Sequence, residues 1–252
     1  CGNETASERA MMRKYIIDSV VYWATEYHVD GFRFDLMGVH DTETMNAIRQ
    51  ALDDIDPTIL MYGEGWTGGD SSYDESLRAV KSNTSKMEGV AAFSDDFRDA
   101  LKGNVFDEKD KGFITGSDAY LEDIKFGIVG ATEHDQIDKE KLTKSEKAWA
   151  SAPVQCINYA SCHDNLTLWD KIATSKPKAS KEDRIKMNKL SAAMVLTSQG
   201  IPFFQMGEEI ARTKQDEDGN ILENSYNAPL SINSIKYDQA FKNNELREYY
   251  KG

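Results

Sequence analysis

Asp30-Gly31-Phe32-Arg33-Phe34-Asp35 is a short apolar run that closes on a carboxylate. A small-residue turn and a helical stretch follow, which is the pattern of a parallel strand carrying an acid to the mouth of a barrel or open sheet. Ile59-Leu60-Met61-Tyr62-Gly63-Glu64 repeats that pattern, and Cys156-Ile157-Asn158-Tyr159-Ala160-Ser161-Cys162-His163-Asp164 gives a third version. Three strand-end acids set the frame for the rest of the chain.

Outward from these strands, helical and strand-like segments alternate. Before the first strand, Thr5 and Glu8 form a capping-box pattern, and Met12, Tyr15, Ile16, Ser19, Trp23 and Tyr27 recur at helical spacing as one core-facing stripe. A helix is predicted from about Thr42 to Asp53, stopped before Pro57. From Asp70 to Lys147 the pattern is less regular, with a short strand at Ala91–Asp95, a helical Phe97–Leu101 and the rest to Ala148 reading mostly as loop and short helices. Regularity returns with a strand over 156–162 and a helix near Leu166–Ala173. A long helix near Lys181–Ser198 then places Ile185, Leu190, Ala193 and Met194 on one side. Gly200-Ile201-Pro202 breaks it, and Phe203-Phe204-Gln205-Met206 runs into Gly207-Glu208-Glu209 as a last strand. The fold class is therefore α/β: five parallel strands of a partial (β/α) TIM barrel spanning 1–252, with an irregular insertion around 70–147.

The 252 residues carry a formal net charge of −13. That balance argues against a nucleic-acid partner, because such binding rests on clustered Lys and Arg neutralising phosphates. A neutral polyol is indifferent to it. No apolar run approaches the length that spans a bilayer, so no membrane partner is expected. Cys156 and Cys162, on one proposed strand, would stand about 20 Å apart at about 3.3 Å per residue, and with only Cys1 left over no disulfide framework is inferred.

Side chains alternate on a strand, so Arg33 and Asp35 share one face and Phe32 and Phe34 the other. An acid beside a guanidinium stays ionised, as a nucleophile must, although a plain salt bridge explains Arg33 and Asp35 taken alone equally well. Glu64 stands between Gly63 and Gly65, whose lack of a side chain would let a ligand approach, and beside Trp66, which could stack on a sugar ring. In an apolar niche it would hold a proton for a leaving oxygen. One ionised and one protonated carboxylate suit cleavage of a glycosidic bond with retention. His163, Asp164 and Asn165 add hydrogen-bonding groups and a third negative charge. A rival reading is a dinucleotide turn, since Gly63, Gly65 and Gly68 satisfy G-x-G-x-x-G, but Glu64 and Trp66 would repel and crowd a pyrophosphate. Asp216-Glu217-Asp218-Gly219-Asn220 approaches a calcium loop but has Ile221 at the tight-turn glycine and Asn227 at the bidentate glutamate, so no metal ligands are assigned.

Together, the segments around Asp35, Tyr62-Gly63-Glu64-Gly65-Trp66 and Ser161-Cys162-His163-Asp164-Asn165 resemble the last three signature regions of the alpha-amylase superfamily. Cys1-Gly2-Asn3-Glu4-Thr5-Ala6-Ser7-Glu8-Arg9, the Glu-Gly-Trp triplet and Glu223-Asn224-Ser225-Tyr226-Asn227-Ala228-Pro229 narrow the resemblance to bacterial type I pullulanases. The resemblance implies strands four to eight of the barrel, with Asp35 as nucleophile, Glu64 as general acid and base, and Asp164 as stabiliser of the distorted sugar. Arg33, His163, Trp66, Asn165, Asn224, Tyr226 and Asn227 would bind substrate. It implies hydrolysis of α-1,6 branch linkages in pullulan, branched dextrins, starch or glycogen, by a segment inactive alone and in need of an N-terminal barrel half. The alternatives are a non-catalytic glucan-binding or self-associating segment, and hydrolysis of α-1,4 linkages. No cofactor is required, calcium stays open, and family members are bacterial and secreted, cell-surface or cytoplasmic. Two departures stand out: the family's first signature region is missing, and Leu230 follows Asn227-Ala228-Pro229 where an acid is expected.

Overall fold

The computed structural model describes residues 5–69, 71 and 73–252. Cys1, the Cys1–Glu4 part of the amino-terminal motif and Asp70, where the irregular stretch begins, lie outside the described residues. Five strands are formed: β1 (Gly31–Phe34), β2 (Leu60–Gly63), β3 (Ala91–Phe93), β4 (Cys156–Asn158) and β5 (Ile201–Pro202), ordered in space as in sequence. β1 pairs parallel with β2 from Gly31 opposite Leu60 to Phe34 opposite Gly63. β2 pairs with β3 (Tyr62 opposite Ala91), and β3 with β4 (Phe93 opposite Ile157), also parallel. This register brings the chain after Phe34 and the chain after Gly63 to the same end of the sheet, so Asp35 and Glu64 become neighbours.

The chain divides into two compact units, and the boundary falls inside β4. The first comprises residues 1–93, 130–134 and 147–157. It holds α1 (Ala10–Tyr27) and α2 (Thr42–Asp53), with Met45, Ile48, Leu52, Met61, Ala92 and Phe93 buried in its core. Asp41 caps α2 by accepting the Thr44 amide at 2.8 Å, which satisfies one of the free N–H groups of the first turn.

The expected capping box and stripe on α1 are overturned. The helix starts at Ala10, behind Arg9, with no side-chain cap. It buries Val20 and Ala24, whereas Tyr15, Trp23 and Tyr27 are exposed. Arg13, not an aromatic, joins it to α2, through Nε to Thr44 Oγ1 at 2.9 Å and Nη1 to Glu43 at 2.7 Å. The aromatics instead pack on each other, with the Trp23 and Tyr27 rings 4.4 Å apart.

The second unit comprises 94–129, 135–146 and 158–252. Here α3 (Asp95–Lys102), α4 (Leu121–Ile128), α5 (Leu168–Ser175) and α6 (Lys181–Thr197) surround a core that includes Phe97, Leu101, Ile124, Leu168, Ile172 and Val195. Between residues 94 and 147 the chain is mostly loop and short helices, α3 and α4 being eight residues each, as its pattern predicts. Gly127 is a packing site: a Cβ there would lie 2.0 Å from the Phe97 ring. On α6 the buried face is Asn188, Ser191, Ala192 and Val195, while Leu190 is exposed, which corrects the predicted apolar side.

The strand predicted over 156–162 is only three residues long, and the last strand is displaced. Ile201–Pro202, read as a breaker, is β5, and Phe203–Met206 lies beyond it. β5 is only two residues long, and proline is confined to the edges, starts and bulges of strands. The Phe203 amide donates to Asn158 O at 2.8 Å. No helix of the described residues is long and apolar enough to cross a membrane.

Candidate active site

In the first unit, Arg33 near the end of β1 places one guanidinium nitrogen on each of two acids. Nη1 donates to Asp35 Oδ1, and Nη2 donates to Glu64 Oε1 at 2.6 Å. The closest oxygens of Asp35 and Glu64 lie within 4.8 Å of each other. Their exposures differ sharply: the Asp35 side chain is 64% accessible and that of Glu64 is 6%. One acid therefore faces solvent and the other is enclosed, under a single cation. The Arg33 guanidinium also lies 5.5 Å from the centre of the Phe93 ring, so an aromatic face limits where the fork can point.

Glu64 does not occupy the apolar niche the sequence suggested. Its second oxygen accepts the Leu36 amide at 2.8 Å, so both carboxylate oxygens meet strong donors. Leu36 reaches that position in a left-handed conformation, φ 45°, uncommon for a branched side chain and costly by about 1–3 kcal/mol. The strain is spent on turning an N–H toward the acid.

The glycines around Glu64 also differ from their expected part. A Cβ on Gly63 would sit 2.7 Å from Phe34 O and 2.8 Å from Met37 Cβ, and one on Gly65 would sit 2.7 Å from Lys81 N. They admit neighbouring backbone, not a ligand. The dinucleotide reading loses its support here too, because among the described residues no helix opens after Gly68 and the next helical turn is the three-residue Glu75–Leu77. Trp66 is half-buried, and its carbonyl accepts the Gly38 amide at 3.1 Å.

In the second unit, His163 Nε2 lies 3.3 Å from Asp164 Oδ1, and the two side chains are 51% and 66% exposed. Asn165, at φ 60°, points its amide toward Glu223 Oε1 at 3.5 Å. Asn224, Tyr226 and Asn227 are exposed on one loop. That loop is pinned from beneath by Asn233, which accepts from Ser225 Oγ at 2.9 Å and donates to Ser225 O at 2.6 Å. Leu230, where an acid was expected, opens the short α7 (Leu230–Asn233) and is 83% exposed. The Asp216 segment is a hairpin turn, with Asp216 Oδ1 and Oδ2 accepting from the Asn220 backbone and side-chain nitrogens at 2.8 and 3.0 Å.

Sequence reasoning missed the buried charges behind His163-Asp164-Asn165. Glu208 accepts from Ser161 Oγ at 2.7 Å and Tyr250 Oη at 3.1 Å, and burial raises its carboxyl to about 7 against the pull of those donors. Lys102 donates to Leu166 O at 3.2 Å, and burial lowers its ammonium to about 7. Lys214 donates to His163 O at 3.0 Å. The available signal was the set of isolated charges within apolar stretches, and it does not reveal partners far away in sequence.

No family model matches the chain. It is 39% identical over 238 residues to the pullulanase of Bacillus subtilis (strain 168), covering 94% of this chain and 31% of that protein. A pullulanase crystal structure from Paenibacillus barengoltzii, in complex with maltohexaose and alpha-cyclodextrin, matches at TM-score 0.89 and 47% identity over 100% of this chain and 37% of that one. The Bacillus acidopullulyticus pullulanase matches at TM-score 0.87 and 43% identity, over 99% of this chain and 28% of that one. A rice isoamylase, 23% identical, extends the kinship. The chain thus spans about a third or less of the proteins it is similar to, as the partial barrel expected from its strands would.

Proposed function

We propose that this chain, whose homologues are pullulanases of the alpha-amylase superfamily, carries the nucleophile and the proton donor of a retaining hydrolase that cleaves α-1,6 branch linkages in α-glucans. The observation that carries the reading is the pairing of Asp35 and Glu64 beneath Arg33, with oxygens within 4.8 Å. Retaining glycosidases hold their two carboxyl groups about 5–5.5 Å apart, whereas inverting ones leave room for a water between them. The exposed Asp35 attacks the anomeric carbon and forms an ester. Glu64 gives its proton to the departing 6-oxygen, then takes one from the water that hydrolyses the ester.

The shared guanidinium suits this sequence of steps. Arg33 donates to both carboxyl groups, so one preorganised cation holds the two acids in fixed relative geometry through both steps. Asp164 would stabilise the distorted ring, and His163, Asn165, Trp66, Asn224, Tyr226 and Asn227 would bind glucose hydroxyls and faces. Alpha-glucan is the substrate class this reading requires.

The test is release of reducing ends from pullulan by an enzyme containing this segment. Asp35→Asn is expected to lower kcat by about 10⁴-fold or more, the scale of removing one member of a concerted catalytic unit. Undiminished hydrolysis by that variant, or preference for linear α-1,4 glucan in the unaltered enzyme, rejects the assignment.

A further inference from the structure

Asp164 is exposed, yet the backbone that bears it is held from behind by side chains of the same unit. Ser161 Oγ donates to Glu208, and Lys102 donates to Leu166 O. Between these two anchors, Lys214 Nζ donates to His163 O at 3.0 Å. Lys214 is 3% exposed, and burial lowers its ammonium, with Arg212 acting the same way and Asp164 and Asp170 opposing.

The main chain of Lys214 is committed as well. Its amide donates to Asp170 Oδ2 at 2.9 Å, on the first turn of α5, and its carbonyl accepts from Leu222 N at 2.9 Å. The second bond closes the base of the hairpin that bridges Gln215 and Ile221 and leads directly into Glu223–Asn227. One residue therefore joins three parts: the helix following the acid, the peptide adjoining the acid, and the base of the exposed Asn224–Asn227 loop. A buried ammonium is costly to desolvate, and a surface alkyl chain would not need one. That ammonium donates to the His163 carbonyl, which fixes the position of the peptide adjoining the acid.

We propose that Lys214 is a positioning residue, which acts through the His163 carbonyl to hold His163 and Asp164 in register with the Asn224–Asn227 loop. The inference rests on the reading above in that it takes Asp164 and that loop to meet the sugar. The clamp itself is independent of it.

Two measurements separate these claims. In the chain itself, amide hydrogen exchange read by mass spectrometry compares Lys214→Met with the unaltered protein over residues 159–167, with α6 as the internal reference. Loss of one charge-assisted bond is expected to accelerate exchange over 159–167 by about ten-fold or more, with α6 unchanged. Equal acceleration in α6, or none over 159–167, overturns the clamp. If Lys214→Met does not fold, Lys214→Gln, a shorter donor, carries the same comparison. In an enzyme containing the segment, Lys214→Met is expected to lower kcat on pullulan by about ten-fold or more while KM stays within about two-fold, the mark of misplacement and not of lost binding. An unchanged kcat with a loosened 159–167 segment overturns the positioning role. Absence of pullulan hydrolysis in the unaltered enzyme rejects the functional reading, while the exchange result still decides the clamp.

Discussion

Arg33 presents a planar fork whose two terminal nitrogens reach different acids, Asp35 and Glu64. Lysine offers one point of charge and cannot hold both in fixed geometry. Arg33→Lys is therefore expected to keep the positive charge but lose the alignment, lowering kcat on pullulan by about 10²-fold, the usual effect of a displacement near 1 Å. A kcat within two-fold of the unaltered enzyme would show that charge alone suffices. The Arg33–Asp35 contact was legible because i and i+2 share a strand face. Its second contact, to Glu64, was not, because it depends on parallel register between segments 31 residues apart.

Helix α2 shows what one cap does for an element. Asp41 is buried and accepts from the Thr44 amide at 2.8 Å, from Thr44 Oγ1 at 2.5 Å and from Arg13 Nη2 at 3.2 Å. Asp41→Ala would remove the cap and leave Arg13 with Glu43 and Thr44 alone. The expected cost is about 2 kcal/mol, the upper end for loss of a cap, read as a lower urea midpoint at unchanged slope. A shift below about 0.5 kcal/mol would mean that water replaces the cap. The bounds of α2 were readable from sequence, since Pro57 stops the helix and its apolar residues are periodic. The facing of α1 was not, because six apolar or small residues at helical spacing did not reveal that Arg13 would make the joining contacts.

At the scale of the whole molecule, the buried charges make stability depend on pH. Burial raises the Glu208 carboxyl to about 7, whereas in the unfolded chain it titrates near 4.5. Between those values the folded chain holds a proton that the unfolded chain has released, so this group's contribution to stability falls as pH rises from about 5 to 7. For Lys102, lowered to about 7 from 10.5, the unfolded chain holds the extra proton, and stability rises from about 7 to 10. Glu208→Gln is expected to abolish the fall between pH 5 and 7, measured as urea midpoints across that range. A variant whose midpoints fall in parallel with those of the unaltered chain would place the titrating group elsewhere.

The acids Asp35 and Glu64 directly after their strands, the parallel α/β order and the extent of α2 were all determined by the sequence, because alternation, helical period and proline act between near neighbours, whereas Asp164 stands well beyond the short β4. The tertiary structure alone decided that Gly63 and Gly65 make room for backbone, that Ile201–Pro202 is a strand and that Glu64 meets an arginine and an amide. It also decided that Lys102, Lys214 and Glu208 stand behind His163-Asp164-Asn165. Each of these depends on which distant groups share a space once water is excluded, and desolvation makes a charge's surroundings, more than its neighbours in the chain, set what it can do.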